Sequence, residues 1–201
     1  MNNRTSQVYL GRQAVIDRQG NTVGYELLFR AGPGNAAEVA DDIAATAEVI
    51  THAFGAFGLQ AVVGDLAAFI NVSRATLMSA TIEALPADRV VIELLESIRV
   101  DAEVLERCRQ LKAKGYRLAL DDFVAYSDEY EPLLGVVDIV KVDILLLGDE
   151  ALATLVRRLR RWPVYLLAEK VDTPRLARRC RGLGFNLFQG FFFERPVTLS
   201  A

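Results

Sequence analysis

The chain is nearly without histidine. His52 is the 1 histidine among 201 residues, and its spacing puts it on a predicted helix, away from every strand end. No G-x-S-x-G elbow and no Cys/His pair is present. Nucleophilic catalysis by serine or cysteine therefore lacks its activating base. Cysteine is scarce too. Cys108 and Cys180 lie far apart, with no C-x-x-C or Cys/His metal spacing, so the expectation is two buried thiols in a cytoplasmic protein. Long apolar runs are missing, which excludes a membrane-spanning helix. The opening MNNRTSQVYL has no apolar signal core. No basic block offsets the net charge of -3, so a general nucleic-acid binder is excluded. A selective nucleotide site remains open, because bound metal can supply positive charge. Neither G-x-G-x-x-G nor a phosphate-loop lysine motif occurs.

What is present is an ordinary globular composition, 52% hydrophobic and 24% charged. It suits a single domain over 1–201, with about 8–199 structured. The runs VYLGRQAVID and TVGYELLFR flank Arg18-Gln19-Gly20-Asn21, which is turn chemistry at hairpin spacing. An antiparallel pair is expected there. Helical spacing follows over 36–57. Ser73 is placed to cap a short helix and Asp101 a longer one ending at Gly115. Short helical character is expected over 128–135. A helix over 149–161 turns Leu152, Leu155, Val156 and Leu159 inward and its arginines mostly outward. Thr173-Pro174 starts a last helix that ends at Gly184.

The strands between these helices are short and continuously apolar, as in strands buried on both faces. Eight strands and about six crossover helices point to a modified (β/α) barrel of the TIM type with an antiparallel first strand, in preference to a doubly wound sheet.

The strand runs share one peculiarity. Each ends on, or carries near its end, an acid, an amide or a lysine: Glu26, Asn71, Glu93, Asp121, Asp122, Lys141, Glu169 and Gln189. A parallel barrel brings all its strand C-termini to one rim. Oxygen donors gathered there suit Mg²⁺ or Mn²⁺ far better than zinc. Crowded carboxylates repel one another, and divalent metal removes that repulsion. Two-metal phosphoester hydrolysis is the leading chemical reading. The alternative is that the acids are separate helix caps and salt-bridge partners; Asp138 and Asp143 in particular suit those roles.

Taken in order, these segments resemble the EAL domain, a phosphodiesterase family for the bacterial messenger cyclic di-GMP. The correspondence begins at Gln13-Ala14-Val15-Ile16-Asp17 and Glu26-Leu27-Leu28-Phe29-Arg30. It continues through Asn71-Val72-Ser73, Glu93-Leu94-Leu95-Glu96, Asp121-Asp122-Phe123 and Lys141-Val142-Asp143. It closes with Ala168-Glu169-Lys170-Val171-Asp172 and Gln189-Gly190-Phe191. The resemblance implies one metal held by Glu26, Asn71, Glu93 and Asp121, and a second held by Asp121, Asp122 and Glu169. It implies Lys141 and Gln189 as orienting groups for water and phosphate, with Glu169 assisting proton removal. Gln13, Leu28 and Arg30 become substrate contacts, and Glu96 and Asp172 loop anchors. The implied product is linear pGpG, the implied assembly a homodimer, and the cofactors Mg²⁺ or Mn²⁺.

The chain departs from the family pattern at defined places. Leu27 stands for the alanine of the name-giving triplet. The loop after Asp122 reads Phe123-Val124-Ala125-Tyr126-Ser127-Asp128, without the two glycines of the family. Leu95 stands for a threonine, Lys170 for a glycine and Asp172 for a glutamate. The intact ligand set points to an enzyme, slowed by its loop. The altered loop points to a receptor without turnover or a protein-interaction module. Within the family the chain is most similar to the EAL half of EAL–HDOD proteins, which implies an HDOD output domain as partner.

Overall fold

The computed structural model describes residues 9–30 and 58–200, without the side chains of residues 9, 29, 30 and 200. The helix expected over 36–57, with His52, lies outside the described residues. The hairpin forms as its turn chemistry requires. Strands β1 (Tyr9–Asp17) and β2 (Thr22–Arg30) pair antiparallel. Asp17 holds the turn, its Oδ1 accepting from the backbone N–H groups of Gln19 and Asn21 at 2.9 and 2.8 Å. Gly20 takes φ +94, a conformation that glycine adopts without a Cβ penalty.

Strand and helix then alternate. A short helix α1 (Leu59–Val63) leads to β3 (Ala67–Val72), α2 (Arg74–Met78) and β4 (Val90–Leu94). Helix α3 (Ala102–Ala113) leads to β5 (Arg117–Leu120), α4 (Glu131–Leu134) and β6 (Ile139–Asp143). Helix α5 (Asp149–Leu159) precedes β7 (Tyr165–Glu169), and α6 (Pro174–Leu183) precedes the two-residue β8 (Leu187–Phe188). The caps are those the sequence advertises. Ser73, Asp101 and Thr173 each accept the backbone N–H three residues on.

Strands β2 to β8 pair parallel in chain order, and β1 closes the ring by pairing antiparallel with both β2 and β8. The expected barrel with its reversed first strand is therefore present. The expected count of eight strands needs one correction. A ninth strand, β9 (Val197–Ser200), pairs antiparallel with residues Tyr9–Arg12 of β1, outside the eight-stranded ring. In the sequence FFFERPVTLS reads as one run broken by proline, and the two-residue β8 leaves Tyr9–Arg12 of β1 open on that edge for β9.

The core has two parts. Helices cover the outward side chains of the strands, among them Ala68, Ile70, Ile92, Leu118, Val140 and Leu166. Inside the ring, Val15, Phe69, Val91, Ala119, Ile139 and Leu167 form an apolar plug with Leu187 against it. Both thiols are buried and free. Burial pushes Cys108 up to about 12 and Cys180 up to about 11, so neither is a reactive thiolate.

Above the plug, the segment after β8 packs backbone to backbone on the residue after Lys170. Val171 N–H donates to the Gln189 carbonyl at 3.0 Å. A Cβ on Gly190 would lie 2.3 Å from the Val171 nitrogen, and Gly190 has φ +150. Gly190→Ala is expected to lower Tm by roughly 5–10 °C, the consequence of about 2–3 kcal/mol of overpacking in a chain of this size. Calorimetry of the two proteins checks this, and an unchanged Tm would refute the close packing.

Candidate active site

The side chains of a strand alternate faces with period two. The plug residues Phe69, Val91, Ala119, Ile139 and Leu167 all point into the barrel. Two positions further along the same strands or just past their ends stand Asn71, Glu93, Asp121, Lys141 and Glu169. Leu187 leads to Gln189 in the same way. On the reversed strand β1 the step runs backwards, from Val15 to Gln13. Glu26 on β2 is in register with the inward Phe69. One layer of the barrel is thus apolar and the next is polar, and the polar layer holds Gln13 with the strand-end residues singled out by the sequence, except Asp122, which follows Asp121 with the opposite parity.

Lys141 is the centre of this layer. Its side chain is 1% exposed, and Nζ lies 2.7 Å from Asp121, 2.9 Å from Glu93, 3.2 Å from Glu169 and 3.6 Å from Glu26. Asn71 Nδ2 donates to Glu26 Oε1 at 2.9 Å. Gln189 Nε2 donates to Glu26 Oε2 at 2.7 Å and to Gln13 Oε1 at 3.2 Å. The amides therefore aim the Glu26 carboxylate, and the lysine on β6 ties together the acids of four other strands.

Burial by itself would lower the pKa of the Lys141 ammonium, but Asp121, Glu169, Glu26 and Glu93 outweigh it and hold it well above the usual lysine value. The lysine is a fixed cation. The acids respond the other way. Burial, reinforced by Glu26 and Asp121, raises Glu93 well above an ordinary glutamate despite Lys141. Burial raises Glu169 to about 8, with Lys141 opposing and Asp121 adding to the rise. Burial and then Asp121 raise Asp122. One ammonium among four carboxylates leaves negative charge over.

The donor set fits a divalent cation. Among the described residues, Glu93 Oε2, Glu169 Oε2 and Gln189 Oε1 are buried with neither a hydrogen bond nor an ion pair. Buried acceptors without partners cost free energy, and a hard cation with oxygen ligands removes that cost. Glu96, Asp121 and Asp122 bring one carboxylate oxygen each to within 4.8 Å of one another. Glu96, expected as a loop anchor, thus stands with the acids as a third carboxylate.

The loop after β5 holds its course without the missing glycines. Asp122 itself takes φ +44, a left-handed conformation that Asp tolerates better than most residues. Phe123 N–H then donates to the Lys141 carbonyl at 2.9 Å, and the Phe123 ring, 5% exposed, meets Tyr130 edge-on at 5.0 Å. An aromatic anchor sets the chain's exit from the strand.

Lys170 is the second non-glycine residue with positive φ, at +56. For a residue bearing a Cβ this costs about 1–2 kcal/mol. Its ammonium pairs with Asp143 Oδ2. Asp143 is fully buried, and its Oδ1 accepts the Leu145 N–H at 2.9 Å. Asp138, by contrast, is structural, accepting from Leu118 N–H at 2.8 Å and pairing with Lys112. Asp172 Oδ1 accepts the Phe191 N–H at 3.0 Å, anchoring the segment after β8.

Over the polar layer opens a cavity of about 450 Å³. Gln13, Glu26, Leu28, Asp121, Asp122 and Glu169 line it, as do Lys170, Asp172, Gln189, Gly190 and Phe191. Gln13 and Leu28, expected to touch substrate, are therefore at the cavity wall. The side chain of Arg30 lies outside the described residues. Lys170 and Phe191 are wall residues that no donor-type search of the sequence selects. Strand parity alone finds Gln189 and Gln13, but not residues on the loops beyond.

Known proteins share this architecture. Over 198 residues the chain is 37% identical to the cyclic di-GMP phosphodiesterase CdgJ of Vibrio cholerae, covering 95% of this chain and 45% of that protein. It is 32% identical over 198 residues to the uncharacterized protein YuxH of Bacillus subtilis, covering 96% of this chain and 48% of YuxH. The chain spans about half the length of these curated relatives. Its fold matches Bacillus subtilis YkuI, solved with substrate cyclic di-GMP and calcium, at a TM-score of 0.77 and 20% identity, over 96% of this chain and 55% of YkuI. The EAL family model matches residues 3–196. With the family order of strand-end residues gathered into one layer, the chain belongs to the EAL domain family.

Proposed function

We propose that this chain binds cyclic di-GMP and opens it to linear pGpG by metal-dependent phosphodiester hydrolysis. The observation that carries the reading is the complete ring of oxygen donors around buried Lys141, facing a cavity. The cyclic di-GMP phosphodiesterase CdgJ, and YkuI in its complex with cyclic di-GMP, supply the substrate class. Glu26, Asn71, Glu93 and Asp121 would hold one divalent cation, and Asp121, Asp122 and Glu169 a second, with Mg²⁺ or Mn²⁺ the suited ions. Such ions, when bound, polarise phosphate oxygens and acidify water.

The residues of the chain supply the rest. Lys141 and Gln189 would orient water and phosphate. Glu169 would assist proton removal from the attacking water. Gln13, Leu28 and Arg30 are assigned to the dinucleotide. Leu145, Leu146 and Val124 are exposed apolar side chains on the loops after β6 and β5; they support the implied homodimer.

One observation favours a second reading, a receptor that binds without turnover. The loop after Asp122 carries Val124 and Tyr126 where the family pattern has glycines. Incubation with cyclic di-GMP and Mn²⁺, followed by chromatography, separates the two. pGpG is the expected product, and Glu26→Ala is expected to reduce its formation by at least about 100-fold. Tight binding by calorimetry without any product would establish the receptor reading and overturn hydrolysis.

The raised acids set the pH dependence. Glu169 is protonated more readily in the fold than when unfolded, so its stabilising contribution is full below 4.5 and is lost as pH rises to about 8. Glu93 acts in the same direction. Metal-free protein is expected to lose Tm over that interval, and Mn²⁺ to restore it at the alkaline end. A metal-free Tm that rises through the same interval would contradict this. Lys141→Met removes the shared partner of four acids and is expected to cost about 3–5 kcal/mol at neutral pH. Acidification should recover much of that loss in denaturant titrations, whereas equal destabilisation at both pH values would refute the electrostatic account.

A further inference from the structure

Lys170 is a departure from the family motif that the proposed chemistry does not use. It follows Glu169 directly at the end of β7. It keeps a left-handed backbone, φ +56, where the family carries glycine, and a strained residue of this kind is a pointer to function. Its ammonium holds Asp143 Oδ2, and Asp143 has no other cation partner among the described residues. Asp143 is the register partner of Glu169 across β6 and β7. Lys141, two positions before Asp143 on β6, pairs with Glu169 at 3.2 Å. The two strand ends are therefore joined by two crossed ion pairs. One lies in the ring, from lysine on β6 to acid on β7. The other lies at the rim and runs in the opposite sense. Among the described residues, Lys170 is also the one basic residue in the wall of the cavity over the ring.

We propose that Lys170 is a positioning residue: its clasp on Asp143 fixes the end of β7 and so sets the Glu169 carboxylate over the ring for cation binding. The inference rests on the reading of the ring as a divalent-cation site. Glycine at 170 frees the backbone but leaves Asp143 without its cation. Methionine keeps the side-chain bulk without the charge, and arginine keeps the charge and a donor.

The test is Mn²⁺ titration by calorimetry of wild type, Lys170→Gly, Lys170→Met, Lys170→Arg and Asp143→Asn, with Tm recorded for each. Lys170→Gly is expected to keep its Tm within about 3 °C, because relief of strain offsets loss of the pair. Its Mn²⁺ affinity should fall by about 10-fold, the effect typical of a group that orients a metal ligand. Lys170→Met and Asp143→Asn should weaken Mn²⁺ similarly, and Lys170→Arg should stay within about 3-fold of wild type. Wild-type affinity in Lys170→Gly would overturn the clasp while leaving the cation site standing. An equal loss in Lys170→Arg and Lys170→Met would also overturn it. Absence of Mn²⁺ uptake by wild type would overturn the cation-site reading and the clasp with it.

Discussion

A lysine ammonium held out of water by a barrel of its own acids is the interaction on which the rest depends. Removing an ion from water is costly, and only close opposite charge with hydrogen bonding compensates. Lys141 has Asp121, Glu93, Glu169 and Glu26 within 3.6 Å. Those acids arrive from separate strands, so the pairing forms only when the ring closes. The same arrangement is unbalanced, with more carboxylate than ammonium. Balance is recovered by protons or by metal. Folding and proton uptake are therefore coupled at this site, and binding of a cation would be coupled to both.

Beneath the charges lies the apolar plug. Each buried Val, Leu, Ile or Phe contributes about 1.5–3 kcal/mol, and the plug residues occupy the same inward rows as the ring. A sequence that alternates inward Val91 with inward Glu93, or Ile139 with Lys141, places hydrophobic support directly under each ionised group. This is why the site was legible as a pattern of strand ends: the period of the strand carries both layers. The antiparallel β1 obeys the same rule in reverse, which places Gln13 among the ring residues.

Other parts were less legible, for physical reasons. β9 is set by the shortness of β8, which leaves the first half of β1 paired with β2 on one edge and open on the other; nothing local in Val197–Ser200 announces that. The clasp between Lys170 and Asp143 depends on a left-handed backbone at 170, and residue type gave no hint that lysine would adopt it. Glu96 joins Asp121 and Asp122 only because two adjacent strands end together. The loop after Asp122 looked weakened by its lost glycines, yet Phe123 seats in the core and its N–H meets the carbonyl of Lys141.

The reversed first strand has a topological consequence. In an all-parallel barrel the chain enters at the floor, opposite the chemistry. Here β1 runs downward from the rim, so its opening residues and β9, paired with them, both lie on the side where the carboxylates gather. A module joined ahead of β1 would be tethered next to the mouth of the cavity, not across the barrel from it. Tension or docking on such a tether would act on the strand that carries Gln13, giving this architecture a direct mechanical route from an upstream sensor to the site.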